Sequence, residues 1–542
     1  MATHSIAELA HRFLEKEKST DWRKDPRPRD WLQSEWAGYY FPDDFASQGR
    51  WEGEVDRLVV WGEIPKELDG TFYRIHVDPI MRPDPRNGFT DGDGNLCAIR
   101  FQDGNVSMKV RYVETERYLL ERKAGRRLFG IYRNPYTNDS STFSANDTPA
   151  NTNVVYWNGN LLALAERGLP WAVDPDTLET RRYDPFGGKI KTKTFTAHPK
   201  VDPKTNELVV WGNEAKGLGT TDVVTYSVTA KGEVKDVNWF NVSEVRMTHD
   251  GWITENWIIL SALPLLYGGE EQMKAGGQHW VYDPEKPQIF IVCPRRLDAP
   301  AHPGWKVGEF REYSGGPGII VHAGAAWEED DGRLKLEGPW GQWNVMEAFN
   351  KQNHVTSEVT GTYIRWTVDL NQPTGSKLEF EEILPLLTEF PILDDRFLTS
   401  HTTITFLVGM GILNEDHARG FPLMDYVMKL DTKTNKTLSW HAGEYGRVTE
   451  PVFIPRSDEA PEGDGWVVFW TVRPTAPRGE IILLDSNDFT KPVAVIAMPF
   501  LMRDQLHGNW VPNPNPGTKL PRLTKPLKFV QNSGLGPLNR LP

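Results

Sequence analysis

The chain has 542 residues, a formal net charge of -13 and 39% hydrophobic residues, with 21 Trp and 24 Phe. That supply of apolar side chains excludes disorder over most of the length, and the acidic balance argues against a nucleic-acid surface as the main role. The two cysteines, Cys97 and Cys293, lie far apart with no CxxC partner, which speaks against a disulfide framework or a zinc-thiolate site and fits a reducing, cytoplasmic setting.

At the N-terminus, Ile6, Leu9, Ala10, Phe13 and Leu14 follow helical spacing without the unbroken apolar core of a signal peptide. A short amphipathic helix docked on the body is expected there, with a membrane-surface helix as the rival reading. Residues 20–50, rich in Trp, Pro and charge, read as a surface arm. Residues 1–50 are therefore expected as helix and arm, and residues 51–542 as one domain.

From there short β-type runs dominate: RLVVWG at 57–62, ELVVWG at 207–212, WIILS at 257–261, QIFIV at 288–292, TYIRWTV at 362–368, WVVFWTV at 466–472 and EIILL at 480–484. Each is rich in β-branched or aromatic residues and bounded by Gly, Pro, Asn or Asp. Turn signals such as DGDGN at 91–95, WNGN at 157–160, TAKG at 229–232 and DDG at 330–332 separate them. Besides the N-terminal segment, only LMDYVM at 423–428 has helix-like spacing, and the Pro-rich tail from Asn509 reads as an extended strap. The most apolar stretches, 257–266 and 319–327, are of strand length, well short of the roughly 20 residues of a spanning helix. The fold class is all-β: a barrel, a sandwich or a propeller, with the length favouring a propeller.

Of the 13 histidines, four differ in setting. His198, His249, His322 and His507 each lie at the end of a β-type run or in the turn beside one. A propeller brings equivalent strand ends to one axis, so widely separated histidines can converge there. Taken singly, each reads more readily as an ordinary turn or core histidine. An all-imidazole set suits Fe, Zn, Cu or Ni and, if octahedral, leaves positions open, unlike a closed structural zinc site. Imidazole ligands need an acceptor on the other ring nitrogen. Glu166, Glu389 and Glu450, flanked by apolar residues or Pro, are the candidate carboxylates; the plainer reading of each is a solvated surface Glu.

The ordered set GEIPKELDGTFYR at 62–74, FTDGDGN at 89–95, FTAHP at 195–199, THD at 248–250, HAGAAWEE at 322–329, EFP at 389–391, EPVFIP at 450–455 and LHG at 506–508 resembles the carotenoid cleavage oxygenase superfamily. The resemblance implies a seven-bladed β-propeller with loops capping an axial Fe(II). It makes His198, His249, His322 and His507 the ligands and Glu166, Glu389 and Glu450 the carboxylates holding three of them. It also implies O2-dependent cleavage of an alkene C=C bond into two carbonyl products. GIYRNPYTND at 130–139, TPANTNVVYW at 148–157 and the arm DWRKDPRPRDWLQSEW are similar to the branch that cleaves stilbenes and alkenylphenols.

By that likeness Tyr132 binds the substrate's para-hydroxyl, and Thr152 crowds the vacant coordination position; on sequence alone Thr152 reads as a turn residue. The branch carries a Lys just before the first glutamate, where this protein has Ala165. Three readings follow: Tyr132 holds the phenol alone, another cation such as Arg167 swings in although its spacing points it elsewhere, or the substrate is a different alkenyl aromatic. The leading expectation is cleavage of resveratrol-, isoeugenol- or 4-vinylguaiacol-type substrates to aromatic aldehydes, with O2 and the aromatic alkene as partners. The alternatives are an apocarotenoid or polyene cleaver, a non-catalytic propeller scaffold, and a calcium-dependent propeller hydrolase, which would need oxygen ligands instead of imidazole.

Overall fold

The near-continuous apolar runs are strands buried on both faces. In WVVFWTV, Trp466, Val468 and Trp470 enter one hydrophobic core while Val467 and Phe469 enter another. Leu208 and Val210 likewise face one way and Val209 and Trp211 the other. Successive side chains of a strand point to opposite faces, so a sheet packed on both sides needs apolar residues at every position and shows no alternation. The computed structural model describes residues 4–5, 51–82, 84, 86–87, 91–342, 360–411, 423–443, 446–473, 476–499 and 505–514.

The strands form seven antiparallel sheets. We number them as blades in chain order by the strand at the axial edge of each: Gln505–Pro512 for blade 1, Asn153–Trp157 for blade 2, Lys200–Val201 for blade 3, Arg246–Ile253 for blade 4, Ala326–Glu328 for blade 5, Thr388–Ile392 for blade 6, and Arg447–Val448 with Val452–Pro455 for blade 7. Seven apolar cores fill the seven gaps between neighbouring blades, the last joining blade 7 to blade 1. The all-β, seven-bladed propeller expectation is met.

Two crossovers close the ring. The C-terminal strand Gln505–Pro512 is the axial strand of blade 1, paired with Gly70–Val77. The N-terminal strand Val59–Gly62 is the outer edge of blade 7, paired with Ala494–Ala497. Tight hairpins use the turn chemistry the sequence announced: Asn158 and Gly159 both have positive φ (50° and 76°) between strands whose last pair is Trp157 and Asn160, as a two-residue type I′ turn requires.

Two expectations about helices fail. LMDYVM lies in the strand Leu423–Asp431. Its neighbours Val427 and Met428 both reach cores, on opposite faces, and this double burial imitates helical spacing. Conversely, the helix Glu116–Ala124, capped by Thr115 and ended by left-handed Gly125, has no apolar stripe to announce it, because its buried side is Arg117, Tyr118, Glu121 and Arg122. Near the N-terminus, His4–Ser5 is a strand added beside Lys436–His441. The rest of residues 1–50, and the tail beyond Pro514, lie outside the described residues. Both cysteines are buried and neither forms a disulfide. Burial pushes the Cys293 thiol up to about 12.

Candidate metal centre

The four histidines meet at the axis. Their candidate ligand atoms all lie within 4.8 Å of one another, and they form the one such cluster among the described residues. His249 Nε2 stands 3.1 Å from His198 Nε2 and 3.3 Å from His322 Nε2. Adjacent ligands about 2.1 Å from a shared metal stand roughly 3.0–3.4 Å apart, so the spacing fits a metal ion. The rings meet edge to face, with the His198 and His507 centroids 4.6 Å apart.

Local backbone irregularity aims these side chains. The strand Arg246–Ile253 slips register between Thr248 and Gly251, Gln505–Pro512 between Gln505 and Gly508, and Thr388–Ile392 between Glu389 and Ile392. Each gains one residue over its partner, which is a β-bulge, a device that re-aims a side chain. The bulges hold His249, His507 and Phe390.

Three carboxylates take the far ring nitrogens. His249 Nδ1 pairs with Glu166 Oε1, His322 Nδ1 with Glu389 Oε2 at 2.5 Å, and His507 Nδ1 with Glu450 Oε1 at 2.7 Å. No carboxylate takes His198 Nδ1 among the described residues. With the Nδ1 protons held by glutamates, the Nε2 lone pairs of these three rings face the shared point. Burial, reinforced by the other three rings, pushes His198 well below its ordinary value. Burial also lowers His507 against the opposing Glu450. At His249 burial works in the same sense, but Glu166 outweighs it and the net shift is upward. Burial works to raise Glu166 and Glu450, yet their cationic and hydrogen-bonding neighbours, His249 and Arg133 for one and His507 and Arg74 for the other, hold both below the usual carboxylate range.

The three glutamates are themselves held. Glu450 Oε2 accepts from Arg74 Nη1 at 2.8 Å and from the Gly508 N–H at 3.1 Å. Glu389 Oε2 also accepts the Phe390 N–H at 2.8 Å. Phe390 sits at φ 51°, a costly conformation for a non-glycine residue, with its ring 4.9 Å from His322 and 5.4 Å from His507. Glu166 Oε2 accepts from the Tyr132 hydroxyl at 3.0 Å. Burial and Glu166 push that hydroxyl far up, so it stays protonated. Ala165 is buried beside Glu166. Arg167, whose spacing pointed elsewhere, instead lies over the Tyr132 ring at 4.9 Å, with Asp147 at 3.9 Å and Asp91 at 4.0 Å. Thr152 stands half-buried at the head of the axial strand of blade 2, its hydroxyl 3.2 Å from Asn151 Oδ1.

Phe390, Arg74, Arg133 and Asp250 escaped the sequence reading. All four lie inside the family-like motifs, but a motif names no contact partner.

Residues 46–512 match the family model described as retinal pigment epithelial membrane protein. The chain belongs to this family, the carotenoid oxygenases. Among carotenoid oxygenase relatives, it is 45% identical over 495 residues to resveratrol cleavage oxygenase 1 of Botryotinia fuckeliana, spanning 90% of this chain and 88% of that protein. It is 34% identical over 475 residues to isoeugenol monooxygenase of Pseudomonas nitroreducens, spanning 86% and 96%. The crystal structure of Pseudomonas brassicacearum lignostilbene dioxygenase superposes with a TM-score of 0.79 at 36% identity, covering 86% of this chain and 97% of that one.

Proposed function

We propose that this protein is an Fe(II)-dependent oxygenase that uses O2 to cleave the alkene bond attached to the ring of a stilbene or alkenylphenol, giving aromatic aldehydes. The observation that carries the proposal is the convergence of His198, His249, His322 and His507, three of them backed by Glu166, Glu389 and Glu450. The relatives named for cleaving resveratrol and for acting on isoeugenol support the substrate class. We assign the four histidines as iron ligands and the three glutamates as their orienting acceptors.

Bound there, iron(II) would supply the electrons that make O2 reactive toward an alkene. Four imidazoles are neutral ligands and leave the ion its full charge, while the glutamates balance that charge one bond further out. The substrate's ring has apolar surface to rest on. Met247 and Val321, close in sequence to His249 and His322, pack with Tyr132, Leu263 and Ile319, and Phe390 covers two imidazoles. A mostly apolar pocket with few polar groups suits an aromatic alkene.

Tyr132 sharpens the recognition of the phenol. Its proton is committed to Glu166, so toward a substrate oxygen it can only accept. A 4-hydroxyl donates to it; a 4-methoxyl cannot. With Ala165 in place of a cation, the phenol is read as a neutral donor. Thr152 is assigned to the rim of the open coordination position. The two buried cysteines, neither in a disulfide, are consistent with a cytoplasmic enzyme. Among the described residues no helix is long and apolar enough to cross a membrane.

The test is to incubate iron-loaded protein with resveratrol, isoeugenol, 4-vinylguaiacol and an apocarotenal under O2 and identify products by mass spectrometry. Aromatic aldehydes from the phenols, lost in His322→Ala together with bound iron, are expected. Cleavage of the polyene alone, or wild-type protein that takes up no iron, overturns the proposal.

A further inference from the structure

We propose that Asp250 is a positioning residue for the metal site, tying together the segments that carry His198, His249 and His322. The residue is 2% exposed. Oδ1 accepts the Gly251 N–H at 2.7 Å and meets Lys200 Nζ at 2.9 Å. Oδ2 accepts the Ala323 N–H at 2.8 Å. Lys200 follows His198 by two residues and opens blade 3. Asp250 follows His249 in the axial strand of blade 4, and Ala323 follows His322 just ahead of blade 5. Among the described residues, Asp250 hydrogen-bonds none of the imidazoles.

The physical need is directional. Blades meet through apolar cores, and apolar packing is non-directional; a ligand set must be held within about 0.5 Å. Two contacts from one buried carboxylate, to Lys200 on one side and the Ala323 N–H on the other, fix the segments flanking blade 4 relative to it where the ligands emerge, while the Gly251 N–H holds the carboxylate on its own strand. The bulge between Thr248 and Gly251 supplies the extra residue that lets consecutive His249 and Asp250 take these separate tasks. All three partners are donors, so both oxygens must accept. An amide of the same shape would turn its NH2 toward a donor, leaving the buried partners mismatched.

The inference rests on the reading of the four histidines as the metal site. Its test uses apo protein titrated with Fe(II) and with Co(II) against a competing chelator. Asp250→Asn is expected to weaken metal binding by about 10-fold, the low end of the effect of losing a direct partner of a ligand because Asp250 acts through backbone and Lys200, and to shift the Co(II) absorption bands. Lys200→Met, which removes one arm only, is expected to weaken binding several-fold. Glu121→Gln, at a buried carboxylate that accepts the Leu128 and Phe129 N–H groups far along the chain, is expected to lower Tm with metal affinity unchanged. Should Asp250→Asn bind both metals within twofold of wild type with unshifted bands, Asp250 is only a stabilising residue and the inference falls. If Asp250→Asn does not fold, unchanged affinity in Lys200→Met overturns it in the same way. Wild-type protein that binds neither metal would instead sink the assignment of the four histidines.

Discussion

Tyr132→Phe separates the two jobs proposed for one hydroxyl. The substitution keeps the ring in its apolar cluster and under Arg167 but deletes the oxygen. Toward the substrate it removes the acceptor of the phenol proton. A neutral hydrogen bond contributes about 0.5–1.5 kcal/mol net, equivalent to roughly 2- to 13-fold in kcat/KM. Toward the metal it removes the donor to Glu166 Oε2, 3.0 Å away. Hydrogen bonds to a charged group contribute about 1.5–3 kcal/mol, so Glu166 loses one of two partners while keeping His249 on Oε1.

The two losses read out differently. The Glu166 effect weakens metal retention and falls equally on every substrate. The substrate effect falls only on molecules that can donate. The assay compares kcat/KM for a 4-hydroxystilbene and its 4-methoxy ether, wild type against Tyr132→Phe, in metal-saturating buffer. Wild type is expected to favour the 4-hydroxyl, and the variant to lose about 2- to 13-fold of that preference. A hydroxyl-to-methoxyl ratio that is the same in both proteins would refute the contact between Tyr132 and the phenol.

Two further substitutions probe the carboxylates. Glu389→Ala removes the acceptor shared by His322 Nδ1 and the Phe390 N–H, and metal affinity should fall about 10- to 100-fold; chelator competition showing wild-type affinity would remove Glu389 from the site. Asp93, 1% exposed, is pushed up to about 7 by burial against the pull of Arg117. Between about pH 4 and 7 the folded state then holds a proton that the unfolded state has released, so stability falls as pH rises, by at most about 1.4 kcal/mol per unit. Asp93→Asn should flatten that part of the profile, and urea midpoints whose difference from wild type does not change with pH would contradict the shift.

How much was legible follows from what each feature is made of. The strands were readable because burial on both faces writes itself as unbroken apolar runs, as in residues 466–472. The same double burial hid the strand Leu423–Asp431 behind helix-like spacing. The helix Glu116–Ala124 was invisible because its inward residues are charged apart from Tyr118, which alone packs with Ile80, Met81 and Tyr112, so no apolar stripe marks its buried side. At the site, the histidines and glutamates were individually identifiable, but their pairing was not. Which glutamate meets which ring depends on blade order, and the bulges that turn His249, His507 and Phe390 depend on pairing between strands. Arg167 shows the same limit: spacing along the sequence pointed it away from the phenol, and its contact with the Tyr132 ring becomes visible only in the fold.

The last of the four proposed ligands along the sequence has a consequence for the whole ring. His507 rides on Gln505–Pro512, the C-terminal strand that closes blade 1 against Gly70–Val77. Its partner Glu450 comes from blade 7, and Arg74 from blade 1 donates to both Glu450 and the Leu506 carbonyl. Metal held by all four imidazoles therefore spans the seam where the C-terminal strand meets the N-terminal part of the propeller. If the ring opens there, the fourth ligand leaves. Ligand binding to the native state alone stabilises it by RT ln(1 + [L]/Kd), about 2.7 kcal/mol at a hundred times Kd, and this stabilisation should fall most heavily on the seam. Hydrogen exchange of metal-loaded against chelated protein tests it. Loss of metal should deprotect the amides of residues 506–511 and of Gly70–Val77 more than those of blade 3, whose strands Leu208–Asn213 and Asp222–Val228 are joined within one continuous stretch of sequence. Equal deprotection of both regions would show that closure of the ring does not depend on the metal.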